Sequence, residues 1–160
     1  MPAVLCSQAF AGAALVRGMG GASLPDVLLS PTSRYLVVAQ RRVAVELSSS
    51  SSSTLLCVGL AALRELLPDG SLEAAGGGAV PVYVLGRDLA SGGYRLAADV
   101  SGLAPEELAP ALAGGLTDLR RLLSTLPPPD LALAGHAVAL STWHQVRTEA
   151  RLHPSRLPVK

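Results

Sequence analysis

Three histidines, two cysteines and twelve acidic residues are the groups with which this 160-residue chain could do chemistry. His136, His144 and His153 stand eight and nine residues apart. On a helix, eight residues place two side chains about 80° apart and two turns along the axis, and nine place them on opposite sides. Neither spacing is the one-turn step that brings imidazoles together on a metal, and the chain contains no H-x-x-x-H and no C-x-x-C. No metal ligand is therefore expected. A thiol nucleophile would need Cys57 in contact with His136 or His144, with an acid such as Asp99 to orient the imidazole. Cys57 lies between Leu56 and Val58, an apolar setting in which cysteine behaves as a small core residue. Serine is plentiful, but no G-x-S-x-G elbow occurs.

Phosphate-binding loops fare no better. Glycine clusters at 18–21 and 76–78, yet the single lysine is the last residue, Lys160, and a P-loop needs Lys followed by Ser or Thr after its final glycine. The first cluster leads into Ser23-Leu24-Pro25, a poor opening for a dinucleotide-binding helix, so both clusters read as flexible turns. Adjacent carboxylates occur at Glu106-Glu107, where a helix N-terminus accounts for them. The expectation is no catalytic residue, no cofactor-binding residue and no cofactor.

The totals narrow the class further. The formal charge is +1, hydrophobic residues make up 49% of the chain and charged ones 16%, a balance that favours a packed domain over disorder. Five aromatic residues are too few to build a stacking platform for single-stranded nucleic acid. Both ends are basic and the middle is acidic, the pattern of a solvated surface more than of a phosphate-binding face. Two cysteines in apolar runs do not make a secreted disulfide framework, so a reducing compartment, cytoplasmic or nuclear, is expected. Residues 2–16 are uncharged, but Arg17 follows that run where a secretory signal would have positive charge before it. An ordinary first element is expected there, and organellar targeting stays open.

These residues must be positioned by a small set of elements. Arg34 to Leu47 alternates as a half-buried strand does, with Gln40-Arg41 as a tight turn, a bend, or a point within one long strand. Six serines follow at 48–53 and read as a flexible loop. Leu56, Leu60, Leu63 and Leu67 predict a helix over 55–67, stopped by Pro68-Asp69-Gly70. Strands are expected at 80–85 and 94–100, the latter presenting Tyr94, Leu96, Ala98 and Val100 on one face. Leu108, Leu112, Leu116, Leu119, Leu123 and Leu126 form a stripe that predicts a long helix over 105–126. A last helix over 131–152 would turn Ala139, Leu140, Trp143, Val146 and Ala150 one way. Residues 34–69 and 80–128 thus read as two strand–strand–helix units. The expected class is α+β: an antiparallel sheet with two helices on one face, a candidate ββα tandem duplication, plus a C-terminal helix. One domain over 1–153 and a loose tail over 154–160 are expected.

Three local resemblances accompany this reading. SPTSRYLVVAQRRVAVEL, residues 30–47, is similar to the opening of a β-propeller repeat, without a second copy. ADVSGLAPEEL, residues 98–108, resembles the strand-and-turn segment of small heat-shock proteins, but a leucine stripe follows in place of further strands. The element order over 34–124 resembles that of small proteasome-assembly chaperones, which implies a sandwich that dimerises. None of the three carries signature residues that assign a family. With reactive clusters scarce and apolar surface abundant, the expected function is a non-catalytic protein-interaction domain: an adaptor, assembly factor or subunit of a larger homo- or hetero-oligomeric complex. Its interface would include Leu119, Leu123 and Trp143. The alternatives are a small thiol- or histidine-dependent enzyme built on Cys57, His136 or His144 and Asp99, and a weak RNA-binding accessory protein.

Overall fold

A computed structural model describes residues 15–16, 21–47, 53–67, 80–104, 108, 112 and 115–152. Strands β1 (Leu15–Val16), β2 (Arg34–Ala39), β3 (Arg42–Leu47), β4 (Ser53–Leu55), β5 (Cys57–Val58), β6 (Val82–Asp88), β7 (Tyr94–Asp99) and β8 (Leu116–Asp118) form one sheet. Helices α1 (Leu24–Leu29), α2 (Leu60–Leu66) and α3 (Pro128–Leu152) flank it, and a 3-10 turn spans Leu119–Leu122. The strand order is β1-β6-β7-β2-β3-β4, with β5 added to β2 and β8 to β3. None of the described helices is long and apolar enough to cross a membrane.

Two hairpins make the centre of the sheet. β2 and β3 are joined by the two residues Gln40-Arg41, with Val38 opposite Val43. Gln40 takes φ +56°, the left-handed conformation that a two-residue turn of this kind usually gives to glycine. β6 and β7 pair through a bulge between Val84 and Gly86. The hairpins meet along β2 and β7, which run parallel from Arg34 beside Arg95 to Val38 beside Asp99. The sheet is therefore mixed, and the expectation of an antiparallel sheet is corrected at this join. Alternation within a strand fixes which face is buried but not the direction of a distant partner.

Both faces are covered. Tyr35, Val37, Leu96 and Ala98 point into a cluster with Val27 of α1, Leu63 of α2, and Leu108 and Leu112. Leu36, Val38, Val43, Val45 and Ala97 point into a second cluster, beneath Ala134, Ala137 and Val138 of α3. The start of α1 is fixed by a capping box. Ser23 N donates to Asp26 Oδ2 at 3.2 Å and Asp26 N donates to Ser23 Oγ at 3.4 Å.

The predicted strands at 34–47, 80–85 and 94–100 are present with small shifts of boundary. The helices need more correction. In the segment 55–67, Leu55 pairs with Val45 and Cys57 with Leu36 as strand residues, and the helix begins only at Leu60. The long helix over 105–126 is not formed across its second half: 116–118 is a strand on β3 and 119–122 a 3-10 turn. A Cβ on Gly115 would lie 2.9 Å from the Val45 carbonyl oxygen, so the missing side chain lets the backbone run against β3. Asp118 then accepts from Arg120 N at 2.8 Å and opens the tight turn. The leucine stripe is accordingly split, Leu108, Leu112 and Leu116 serving one core, Leu119 and Leu126 the other, and Leu123 left exposed. The described end of the second unit, 116–122, is thus a strand and a turn in place of the expected helix, the ββα duplication is not confirmed, and the helix opposite α1 and α2 is α3. Residues 2–14, the serines at 48–52, Glu106-Glu107 and the tail at 154–160 lie outside the described residues.

Candidate functional site

The most polar interior point lies where β7 ends under α3. Asp99 is buried and shares a sheet face with Ala97. Its Oδ1 accepts from Ser101 N at 3.0 Å and from Ser101 Oγ at 2.5 Å. Its Oδ2 accepts from Ser141 Oγ at 2.5 Å and from Gln145 Nε2 at 3.0 Å. Ser101 Oγ in turn accepts from Gln40 N at 2.6 Å. A buried carboxylate is tolerated when its lone pairs are satisfied, and here the same bonds tie α3 to β7 and to the β2–β3 turn.

The face of α3 turned to the sheet is mostly aliphatic. Ala134, Ala137, Val138 and Ser141 are buried at helical spacing, and the polar member of that stripe is the serine that meets Asp99. Of the residues expected to face one way, Leu140 packs against the second core, whereas Ala139, Trp143 and Val146 are turned outward, Trp143 50% exposed and Val146 57%. Tyr83 of β6 stacks on the His144 imidazole, with ring centres 4.5 Å apart and planes 14° apart. The Trp143 indole meets the same imidazole edge-on at 4.7 Å. The Arg147 guanidinium lies 4.6 Å from the centre of the Trp143 ring, within cation–π range. Burial, and then the nearby Asp99 charge, push the Tyr83 phenol above its ordinary pKa. The result is a surface cluster of three aromatic rings and a guanidinium.

Three further aspartates are used by the fold. Asp26 serves the α1 cap and Asp118 the 3-10 turn. Asp88 accepts from Ala90 N at 2.9 Å and Ser91 N at 3.1 Å, and pairs with Arg95 at 2.8 Å. The bond from Ser91, followed by those from Arg95 and Ala90, holds its carboxyl below the usual aspartate range against partial burial. Among the described residues no three His, Cys, Asp or Glu side chains converge as a metal site.

The sequence-derived candidates are scattered over this frame. Cys57 sits in β5 beside Leu36, and burial raises its thiol pKa, the opposite of what activates a nucleophile. The hydrogen-bond partners of Asp99 are Ser101, Ser141 and Gln145, while His144 is engaged with Tyr83 and Trp143. The thiol, the imidazole and the acid are thus employed in three different settings. Leu119 packs against the second core, Leu123 is 61% exposed and Trp143 half exposed. Sequence reasoning missed Tyr83, Ser141 and Gln145. The signal available was Asp99 itself, an acid in register with Ala97 on a strand whose other face is wholly apolar.

Residues 32–143 match the family model of the NADH pyrophosphatase-like rudimentary NUDIX domain. The chain belongs to this family. The match runs from just ahead of β2 into α3 and so includes both hairpins, Asp99 with its partners Ser101 and Ser141, and Trp143, and it ends before Gln145 and Arg147. No curated protein matches the chain. Membership of this NUDIX-like family overturns the expectation of an adaptor, assembly factor or complex subunit. That expectation rested on missing motifs and surplus leucine, and neither distinguishes an interaction module from a fold related to a pyrophosphatase. A resemblance in element order to assembly chaperones has the same weakness, since order alone leaves the parallel β2–β7 join unspecified.

Proposed function

We propose that this chain is a non-hydrolytic NUDIX-like domain that recognises an NADH-type dinucleotide without cleaving it. The observation that carries the reading is the employment of its carboxylates. Cleaving a pyrophosphate with a divalent cation calls for acidic side chains that can hold the ion beside the phosphates. Asp26, Asp88, Asp99 and Asp118 are instead occupied by donors of the fold. Glu46, Glu65 and Asp130 stand on three separate elements, β3, α2 and the start of α3. The described carboxylates do not fit a catalytic cation. The family description supports the dinucleotide class. The Trp143 indole offers a stacking surface for a flat ring, and Arg147 beside it offers a charged donor for a phosphate.

The test uses the purified full chain with NADH and Mg²⁺ or Mn²⁺. The expected result is binding, read by NADH fluorescence anisotropy, with no mononucleotide products on chromatography. Trp143→Ala and Arg147→Gln should each weaken binding about tenfold, the loss of one stacking or charge-assisted contact. Cleavage that scales with protein concentration overturns the reading, and so does a lack of binding at millimolar NADH.

A further inference from the structure

On the side of the sheet opposite α3, a cavity of about 120 Å³ lies between α1, α2 and the strands. Its inner wall is Tyr35, fully buried, with Leu28, Leu60 and Val82 around it. Leu29, 64% exposed, and the exposed Arg64 mark its mouth. Domain interiors are packed closely enough that a void of this size is uncommon. Water does not suit it, because a buried water needs two to four polar partners and the lining is almost entirely apolar. The Tyr35 hydroxyl is already spent, donating to the Leu28 carbonyl at 2.5 Å. An apolar cavity only slightly larger than this one takes a single benzene-sized ring. The one charge in the lining is Arg64, which has no ion-pair partner among the described residues. Its field reaches inward, since it draws the Tyr35 phenol pKa down against the larger upward push of burial.

We propose that the cavity is a binding site for a small monocyclic aromatic carboxylate, its ring among Leu28, Leu60 and Val82 and its carboxylate against the Arg64 guanidinium. Apolar lining selects the ring, and a single cation at the mouth selects an anion attached directly or through one carbon. The site is separate from the Trp143 face and does not depend on the dinucleotide reading.

The experiment titrates phenylacetate and its neutral isostere phenylacetamide into the ¹⁵N-labelled full chain. Phenylacetate is expected to shift amides at 26–29, 60–64 and 82, and to bind about tenfold more tightly than the amide, the contribution of one charge-assisted contact. Arg64→Gln should erase that difference while keeping the weaker binding. Val82→Phe, or Leu60→Phe if the first variant does not fold, should fill the space and abolish binding of both compounds. No shifts at millimolar ligand, shifts confined to the α3 face, or equal affinity for acid and amide would overturn the proposal.

Discussion

Asp99 and Ser141 are 42 residues apart in sequence, and their side chains meet at 2.5 Å in the interior, where the carboxylate of β7 accepts the hydroxyl proton of α3. Gln145, one turn further along the helix, reaches the same oxygen at 3.0 Å. This pair sets the rotation of α3, turning the serine stripe inward and Trp143 outward. Ser141→Ala should destabilise the domain by about 2 kcal/mol, the contribution of a hydrogen bond to a charged group. Asp99→Ala should cost more, because it strands the Ser141 hydroxyl and the Gln145 amide together. Urea unfolding midpoints give both numbers. A Ser141→Ala chain as stable as the parent would show that the rotation of α3 is fixed by its alanines alone.

Gln40 occupies the place of a turn glycine, at φ +56°. A left-handed conformation costs a residue with a Cβ about 1–2 kcal/mol, and the gain from relieving it is partly offset by the wider unfolded freedom of glycine. Gln40→Gly should therefore be neutral or stabilising by up to about 1 kcal/mol, and Gln40→Val clearly destabilising. The backbone N–H that donates to Ser101 survives both changes, so the comparison isolates the conformational term. Thermal unfolding of the two variants side by side measures it, and a stabilised Gln40→Val chain would contradict the account.

What could be read in the sequence follows from the range of each signal. The alternation around Val43 and Val45, and of Leu96, Ala98 and Val100, is a local record of strand geometry and of which residues share a face, and the hairpins stand where it places them, with both faces covered. The helix of 131–152 was legible, but its inner face was not. A buried serine satisfied by a distant aspartate looks polar, and Leu140, grouped with Trp143 by spacing, packs inward while the tryptophan stays half exposed. The stripe from Leu108 to Leu126 matched a helix because leucines at that spacing can also be shared between two cores by a chain that passes from one face to the other. Gly114-Gly115 was the residue pair that could have signalled the crossing. The candidate site was legible only as single residues, Trp143 and Asp99, since Tyr83, Ser141 and Gln145 join them through contacts between distant segments.

The β6–β7 hairpin should loosen in acid. The Asp88 carboxyl titrates below its ordinary value of 3.8, chiefly through the bond from Ser91 N and with help from Arg95 and Ala90 N. A depressed carboxylate pKa means that the charged form is favoured by folding. Its contribution is complete above 3.8 and is withdrawn as the pH falls from there through the lower folded value. Hydrogen exchange at the Ala90 and Ser91 amides, corrected for intrinsic rates, should show protection falling across that window. Asp88→Asn should show lower protection throughout and no such transition. A transition of equal size in the asparagine variant would assign the effect to another group.

Cys57 should be slow toward alkylating agents in the folded protein. Burial raises its thiol pKa first of all; Arg95 and Arg34 pull it down and Asp130 pushes it up, each by less. At neutral pH the thiolate, which is the reacting form, is therefore scarcer than in a free cysteine, and the β5 backbone on Leu36 restricts approach as well. Iodoacetamide labelling followed by peptide-resolved mass spectrometry separates Cys57 from Cys6. The native rate at Cys57 should fall below that of the urea-unfolded chain, because a raised pKa leaves less thiolate to react. The native rate should still be rising with pH at the ordinary thiol value of 9.0, where that of the unfolded chain is levelling off. Labelling at neutral pH as fast as in the unfolded chain would mean an exposed, activated thiol and would restore Cys57 as a candidate nucleophile.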